Sequence, residues 1–426
     1  MVRSLILLLS PSTPSSLPSS SSPWDGTKQQ KEVNLVVMRG AGGKAFCAGG
    51  DVVTVRKAVL ERGMGKLGKR GHEAADFFRE EYKLNYLIWE MNDEEGGGRA
   101  DGKEKRRNLE VDANGTKKCS SSFSSFLSQP PLQISVWDGV VMGGGVGLSI
   151  GSAFRIATDK TLFAMPETAI GFFPDVGGSY WLPRVGKEGG KEGGKEGVSA
   201  LGRYIGLTGV RLGGWDLVKA GIATHLVRSE TVEEMVREVE GLREGEREGG
   251  LQGRVGREEV EGVLAKWAVG GEEARQKVRG CMLAKRAEEI EEVFGGEGGL
   301  EGVFRRLEAM VEAGEEGGRE GRKEWAEKTL ALLRKASPTA LRVTWRLLEE
   351  GERKGREEGR VATFPMEYRV AMGHMNQESD FCEGVRALLV EKGAKPAWRK
   401  RVVEEVTEEE VGVFFRDLGE NELTVN

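Results

Sequence analysis

Residues 142–147 read M-G-G-G-V-G, and this run constrains the chain more than any other feature. An apolar segment, 134–137, leads through Asp138-Gly139 into the three glycines, and a mostly apolar run, 146–157, follows. Consecutive glycines bring backbone close to a ligand and leave N–H groups uncovered by a Cβ. A helix beginning there would add its positive N-terminal end, an arrangement suited to a developing anion. Downstream lies F-A-M-P-E-T-A-I-G (163–171), which places Glu167 after a proline in an apolar setting. Eight residues later F-P-D-V-G-G brings Asp175. A glycine-lined anion site and two carboxylates within about fifty residues make a candidate catalytic centre.

Charge excludes some classes. The 63 basic and 68 acidic residues give a formal net of −5, which calls for neither nucleic acid nor an anionic membrane. No apolar run reaches the roughly 18 residues of a membrane helix, so a soluble protein is expected. The four cysteines, Cys47, Cys119, Cys281 and Cys382, contain no C-x-x-C pair. The three histidines, His72, His225 and His374, lack metal-ligand spacing, so no metal is expected.

Residues 1–23 hold Arg3, a short apolar run and then Ser/Pro, with no acid, and read as a leader or organelle transit peptide. A mis-called start is the alternative. Residues 33–38 read as a buried strand. A second glycine loop, A-G-G-K-A-F-C-A-G-G-D (41–51), follows; it is not a phosphate loop, because Lys44 precedes Ala45. Residues 52–62 look helical. G-x-G-x-x-G at 63–68 follows a charged helix, not a strand, and reads as a loop. Residues 72–90 form an amphipathic helix whose aromatic stripe is expected in the core. Residues 91–129 and 187–198 are low-complexity insertions. Residues 230–335 read as Glu/Arg-rich helical segments broken at glycines. Ser337-Pro338 opens a long helix as N-cap and first-turn proline. Further helices are expected at 364–371, 380–389 and 406–415.

Residues 40–51, 138–149 and 163–184, the last FAMPETAIGFFPDVGGSYWLPR, resemble the crotonase (enoyl-CoA hydratase/isomerase) superfamily. They look most like its 3-hydroxyisobutyryl-CoA hydrolase branch, as do FREEYKL (78–84), GIATHLV (221–227), SPTAL (337–341), MEYR (366–369) and DFCEGVRA (380–387). The resemblance implies an α/β fold, a crotonase-like spiral of ββα repeats, with a helical C-terminal region covering the site. It divides the chain into a leader (1–23), a crotonase-like core (24–228) and the helical region (229–426). It implies an acyl-CoA substrate with CoA arriving as part of it, no cofactor, no nucleic acid and no membrane. It leaves homo-oligomerisation open. The expected compartment is the mitochondrion, with a plastid or other organelle as the alternative. The resemblance also implies an extra strand and helix ahead of Trp24, where this chain has Ser and Pro.

By motif position, the resemblance makes the Gly50 and Gly144 N–H groups an oxyanion hole for the thioester carbonyl. Hydratases of the superfamily carry one glutamate just after the triple glycine and another in the P-E motif. Here Gly147 occupies the first position and Glu167 the second, while Asp175 is an extra acid. A single glutamate facing a thioester can attack it or deprotonate water. Glu167 is therefore expected as base or nucleophile, with Asp175 positioning water and substrate. Glu81, in R-E-E-Y, is implied as the contact to the acyl 3-hydroxyl. Hydrolysis of 3-hydroxyisobutyryl-CoA and related short β-hydroxyacyl thioesters, in valine breakdown, is the leading expectation. The alternatives are a hydratase/isomerase, an inactive crotonase-like scaffold, and a serine hydrolase using G-L-S-I-G (147–151) with Ser149, Asp175 and His225.

Overall fold

The computed structural model describes residues 4–9, 33–62, 71–92, 130–186, 197–242, 255–313 and 321–425, the first of these as backbone only. The loop expected at 63–68 lies outside the described residues, as do 93–129 and 187–196 within the two insertions.

From the second strand to the seventh, successive strands alternate between two sheets. The larger has the order β1 (Ser4–Leu9), β2 (Leu35–Gly40), β4 (Leu132–Trp137), β6 (Phe154–Thr158), β9 (His225–Val227). The smaller has β3 (Ala45–Cys47), β5 (Val140–Met142), β7 (Leu162–Ala164), β8 (Leu212–Gly213). Pairing is parallel from β2 through β9 and from β3 through β7, with an antiparallel strand, β1 or β8, at one edge of each sheet. The pairs β2–β3, β4–β5 and β6–β7 each lay one strand in either sheet before the chain turns back. That is the expected spiral, built from parallel pairing that requires crossovers.

Parallel sheets covered on both faces need apolar side chains on both, and Leu35, Val36, Val37 and Met38 of β2 are all buried. Period-two alternation then sorts them. Leu35, Val37, Ile134, Val136 and Ile156 pack outward against the helices Val232–Gly241 and Arg257–Trp267. Met38, Trp137 and Ala157 face the main core, with Tyr82, Phe163 and Phe173.

Two expectations change. Ser4–Leu9, within the segment read as a leader, pairs along β2 from Ser4–Gly40 to Leu9–Leu35 and supplies an edge strand ahead of Trp24. The triple glycine opens only one helical turn, Gly144–Gly147, before the chain bends toward β6. Gly145 and Gly147 are poor helix formers, and a four-residue turn carries little dipole. Any anion site there rests on individual N–H groups.

The helices α1 (Val52–Arg62) and α2 (Glu73–Met91) follow the first glycine loop. Phe78, Tyr82, Asn85 and Ile88 of α2 are buried at helical spacing. Ser337 caps the helix Pro338–Glu357, its Oγ accepting from the Ala340 N–H at 3.0 Å, as the Ser-Pro pair predicts. Among the described residues no helix is long and apolar enough to cross a membrane.

Candidate active site

The two glycine loops meet. Gly49, with φ +115°, sits beside Gly143, with φ +52°, in conformations that side chains rarely adopt. A Cβ on Gly143 would lie 3.3 Å from the Gly49 Cα, and one on Gly144 would lie 3.4 Å from the Gly50 N. The Gly50 and Gly144 amides are thus neighbours, Gly50 exposed and Gly144 half-buried. Phe77 of α2 closes over Gly50, where an added Cβ would touch its ring at 2.9 Å.

Glu167 begins the 3-10 turn Glu167–Ile170 that follows β7, and the turn brings its carboxyl to the same glycines. A Cβ on Gly143 would lie 3.5 Å from Glu167 Oε1, and Oε2 is buried without a partner among the described residues. Burial first, then the Asp175 and Glu81 charges, push this carboxyl well above its ordinary range. The turn is anchored from the C-terminal side. The Thr168 carbonyl accepts from the Ser337 N–H at 3.1 Å, and the Ser337 hydroxyl in turn donates to Asp380.

Asp175 accepts from the Tyr82 hydroxyl at 2.8 Å and is pushed up to about 7 by burial, which outweighs that hydrogen bond. The next residue, Val176, has φ +54° and is the one non-glycine with positive φ among the described residues. For a β-branched side chain this is a strained conformation, of a kind that gathers at functional sites. Its support comes from Glu367, whose carboxylate accepts from the Gly177 N–H at 2.8 Å, the Ser179 N–H at 2.9 Å and the Ser179 hydroxyl at 2.5 Å.

Glu81 lies across from Gly144, where an added Cβ would come within 2.5 Å of its Oε1. Its carboxyl is pushed up to about 8, by burial and then by the Asp175 charge. All five expected residues, Gly50, Glu81, Gly144, Glu167 and Asp175, therefore converge. The sequence reading missed Tyr82, which it counted only as core, and Glu367, which it met only within M-E-Y-R. Position 147 is packed shut: a Cβ there would lie 2.6 Å from the Val176 Cβ and 2.8 Å from Asn85 Nδ2.

The serine-hydrolase alternative does not assemble. Ser149 is fully buried, donates to the Gly145 carbonyl at 2.7 Å and accepts from Trp137 at 2.9 Å. His225, on β9, faces Thr224 and Glu261, while Asp175 is held by Tyr82.

Residues 21–94 and 124–415 match the family model described as enoyl-CoA hydratase/isomerase. The chain is 37% identical over 396 residues to a protein of Xenopus laevis named "3-hydroxyisobutyryl-CoA hydrolase, mitochondrial", covering 93% of this chain and 80% of that one. Proteins of the same name from Homo sapiens and Dictyostelium discoideum are 34% and 32% identical, each over 93% of this chain and over 80% and 82% of their own. Among solved structures, a carnitinyl-CoA dehydratase from Mycobacterium thermoresistibile matches with TM-score 0.63 and 28% identity, over 91% of this chain and 84% of that one. An enoyl-CoA hydratase from Rhodobacter sphaeroides matches with TM-score 0.62 and 28% identity, over 92% and 86%. With this spiral, this pair of glycine loops and these relatives, the chain belongs to the enoyl-CoA hydratase/isomerase family, in the branch of the 3-hydroxyisobutyryl-CoA hydrolases.

Proposed function

We propose that the protein hydrolyses 3-hydroxyisobutyryl-CoA, and short β-hydroxyacyl-CoA thioesters like it, to the free acid and CoA, as a step of valine breakdown in the mitochondrion. The observation that carries this reading is the Glu167 carboxyl, set against Gly143 with one oxygen unpartnered and with no second side chain at position 147. Water addition across a double bond in this family uses a carboxylate at each position. Thioester cleavage needs one.

In this reading the thioester carbonyl oxygen lies between the Gly50 and Gly144 N–H groups. Charge grows on that oxygen when its carbon is attacked, and one aimed donor contributes about 3 kcal/mol to stabilising it. Ionised Glu167 either attacks the carbon, forming an anhydride that water then cleaves, or takes a proton from a water that attacks directly. On either route the tetrahedral intermediate collapses, the C–S bond breaks, and CoA leaves as thiolate and gains a proton. Asp175, oriented by Tyr82, holds the water and the acyl group. Glu81 accepts a hydrogen bond from the acyl hydroxyl. CoA enters as part of the substrate, and the reaction written this way uses no metal and no redox group.

The test is thiol release from 3-hydroxyisobutyryl-CoA beside hydration of crotonyl-CoA, for the wild-type chain and Glu167→Ala. Thiol release that the substitution abolishes, with no hydration by either protein, is expected. Hydration without thiol release would assign the chain to the hydratases instead.

A further inference from the structure

Asn85 is the part of this wall that the chemistry above leaves unused. It follows Glu81 by four residues and Tyr82 by three on α2, so the three side chains share one face. Facing them is the single turn Gly144–Gly147. A Cβ on Gly144 would lie 2.5 Å from Glu81 Oε1, and a Cβ on Gly147 would lie 2.8 Å from Asn85 Nδ2 and 2.9 Å from Asn85 Oδ1. The two turns therefore stand face to face, Glu81 over Gly144 and Asn85 over Gly147. Asp175 and Val176 form the third side, through the Tyr82 hydrogen bond and the contact of Val176 with Gly147.

Asn85 is 0% exposed, and among the described residues neither its Nδ2 nor its Oδ1 has a hydrogen-bond partner. A carboxamide offers two donors and one acceptor. Leaving all of them unpaired in the interior is destabilising, and a leucine of similar size would avoid the penalty. A buried, doubly unpartnered amide beside a substrate site calls for a ligand group that both donates and accepts. Within the acyl part of a β-hydroxyacyl thioester the hydroxyl is that group, since the carbonyl only accepts and the alkyl carbons do neither.

We propose that Asn85 is a specificity-determining residue that binds the hydroxyl of the acyl chain together with Glu81. The inference rests on the hydrolase reading and extends it from reaction to substrate class. The hydroxyl donates a hydrogen bond to Glu81, and the Asn85 amide donates one to the hydroxyl oxygen. An acyl chain without the hydroxyl leaves both side chains unpaired in the closed site. A site built to pair with a substrate hydroxyl rejects the analogue lacking it far more strongly than a site built on shape.

The experiment compares kcat/KM for thiol release from 3-hydroxyisobutyryl-CoA and from isobutyryl-CoA, in the wild type, Asn85→Leu and Asn85→Ala. Wild type is expected to favour the hydroxylated thioester by about 100-fold or more. Both variants should bring the ratio to within about tenfold, by losing activity on the hydroxylated substrate while activity on isobutyryl-CoA holds or rises. The melting temperature of Asn85→Leu should equal or exceed that of wild type; if that variant fails to fold, Asn85→Ala carries the comparison. A wild-type ratio retained by a folded variant overturns the assignment, and so does a parallel fall on both substrates. Wild-type protein that releases thiol from neither substrate overturns the hydrolase reading itself, and the assignment with it.

Discussion

The molecule keeps its carboxylates in two very different settings. On the helices of the C-terminal half they pair with nearby cations in water. Arg334 reaches Glu308 at 2.8 Å between two helices, Arg322 reaches Glu292 at 2.7 Å, and Arg353 sits between Glu350 and Glu357 at 2.9 and 2.7 Å. In the site, the Asp175 charge raises both Glu167 and Glu81, the Glu81 charge raises Glu167 further, and the side-chain hydrogen bond that lowers Asp175 comes from the neutral Tyr82 hydroxyl. Exposed pairs are worth about 0–1 kcal/mol each. Uncompensated buried acids weaken the fold, and such perturbed groups mark functional sites. The first setting is ordinary solvated pairing, and the second is the one that the proposed chemistry draws on.

The comparison can be broken most directly at Glu167. Replacing it with alanine should lower kcat for thiol release by about 1,000-fold or more while KM moves only a few-fold. A variant retaining a tenth of the wild-type rate would remove Glu167 from the chemistry. Glu367→Ala, which touches no substrate, should cut kcat about 10–100-fold and destabilise the fold by about 3 kcal/mol, because three donors lose their acceptor. Urea titration beside the kinetics reads both, and an unchanged kcat would show that the 175–179 loop holds itself.

Proton linkage sharpens the contrast. Burial and the Asp175 and Glu81 charges push Glu167 well above the ordinary carboxylate range, so the acid limb of thiol release should lie well above that range too. Glu81→Gln removes a negative neighbour of Glu167 and should move that limb to lower pH. Stability follows the same groups. Unfolded carboxyls lose their protons near pH 4, while these keep theirs in the fold, so the unfolded state binds fewer protons between about pH 4 and 8. Wild-type stability should therefore fall as pH rises through that window, and Glu167→Gln should be the more stable protein at pH 8 but not at pH 4. Melting curves at the two pH values decide it. The smallest effect is expected on the surface: Glu308→Ala should cost at most about 0.5 kcal/mol and leave thiol release unchanged.

Much of the site was legible because its signals are local. The glycine loops announce uncovered backbone, Glu167 follows a proline within a few residues of β7, and Ser337-Pro338 marks a helix start by two adjacent residues. A continuous β-branched, apolar run at 33–38 also announced β2. Residues whose meaning depends on distant partners were not legible. Tyr82 looks like any core aromatic until Asp175, 93 residues on, meets its hydroxyl. Glu367 lies 190 residues from the Gly177 N–H that it holds, and no spacing rule reaches that far. The apolar run after the triple glycine read as helix because strand β6 and a short turn have no period to separate them from one. The strand Ser4–Leu9 was hidden by its leader-like composition, since edge pairing depends on β2 and not on the segment itself.

The turn carrying Glu167 is tied to Ser337, and the loop carrying Asp175 is tied to Glu367. Both tethers are made late in synthesis, since the ribosome produces the reactive acids long before the residues that aim them. A nascent or truncated chain would own every acid and still be blunt toward the thioesters around it. In the proposed reaction the last-built third of the polypeptide is the safety catch of the first two, since its Ser337 and Glu367 hold the segments that carry Glu167 and Asp175.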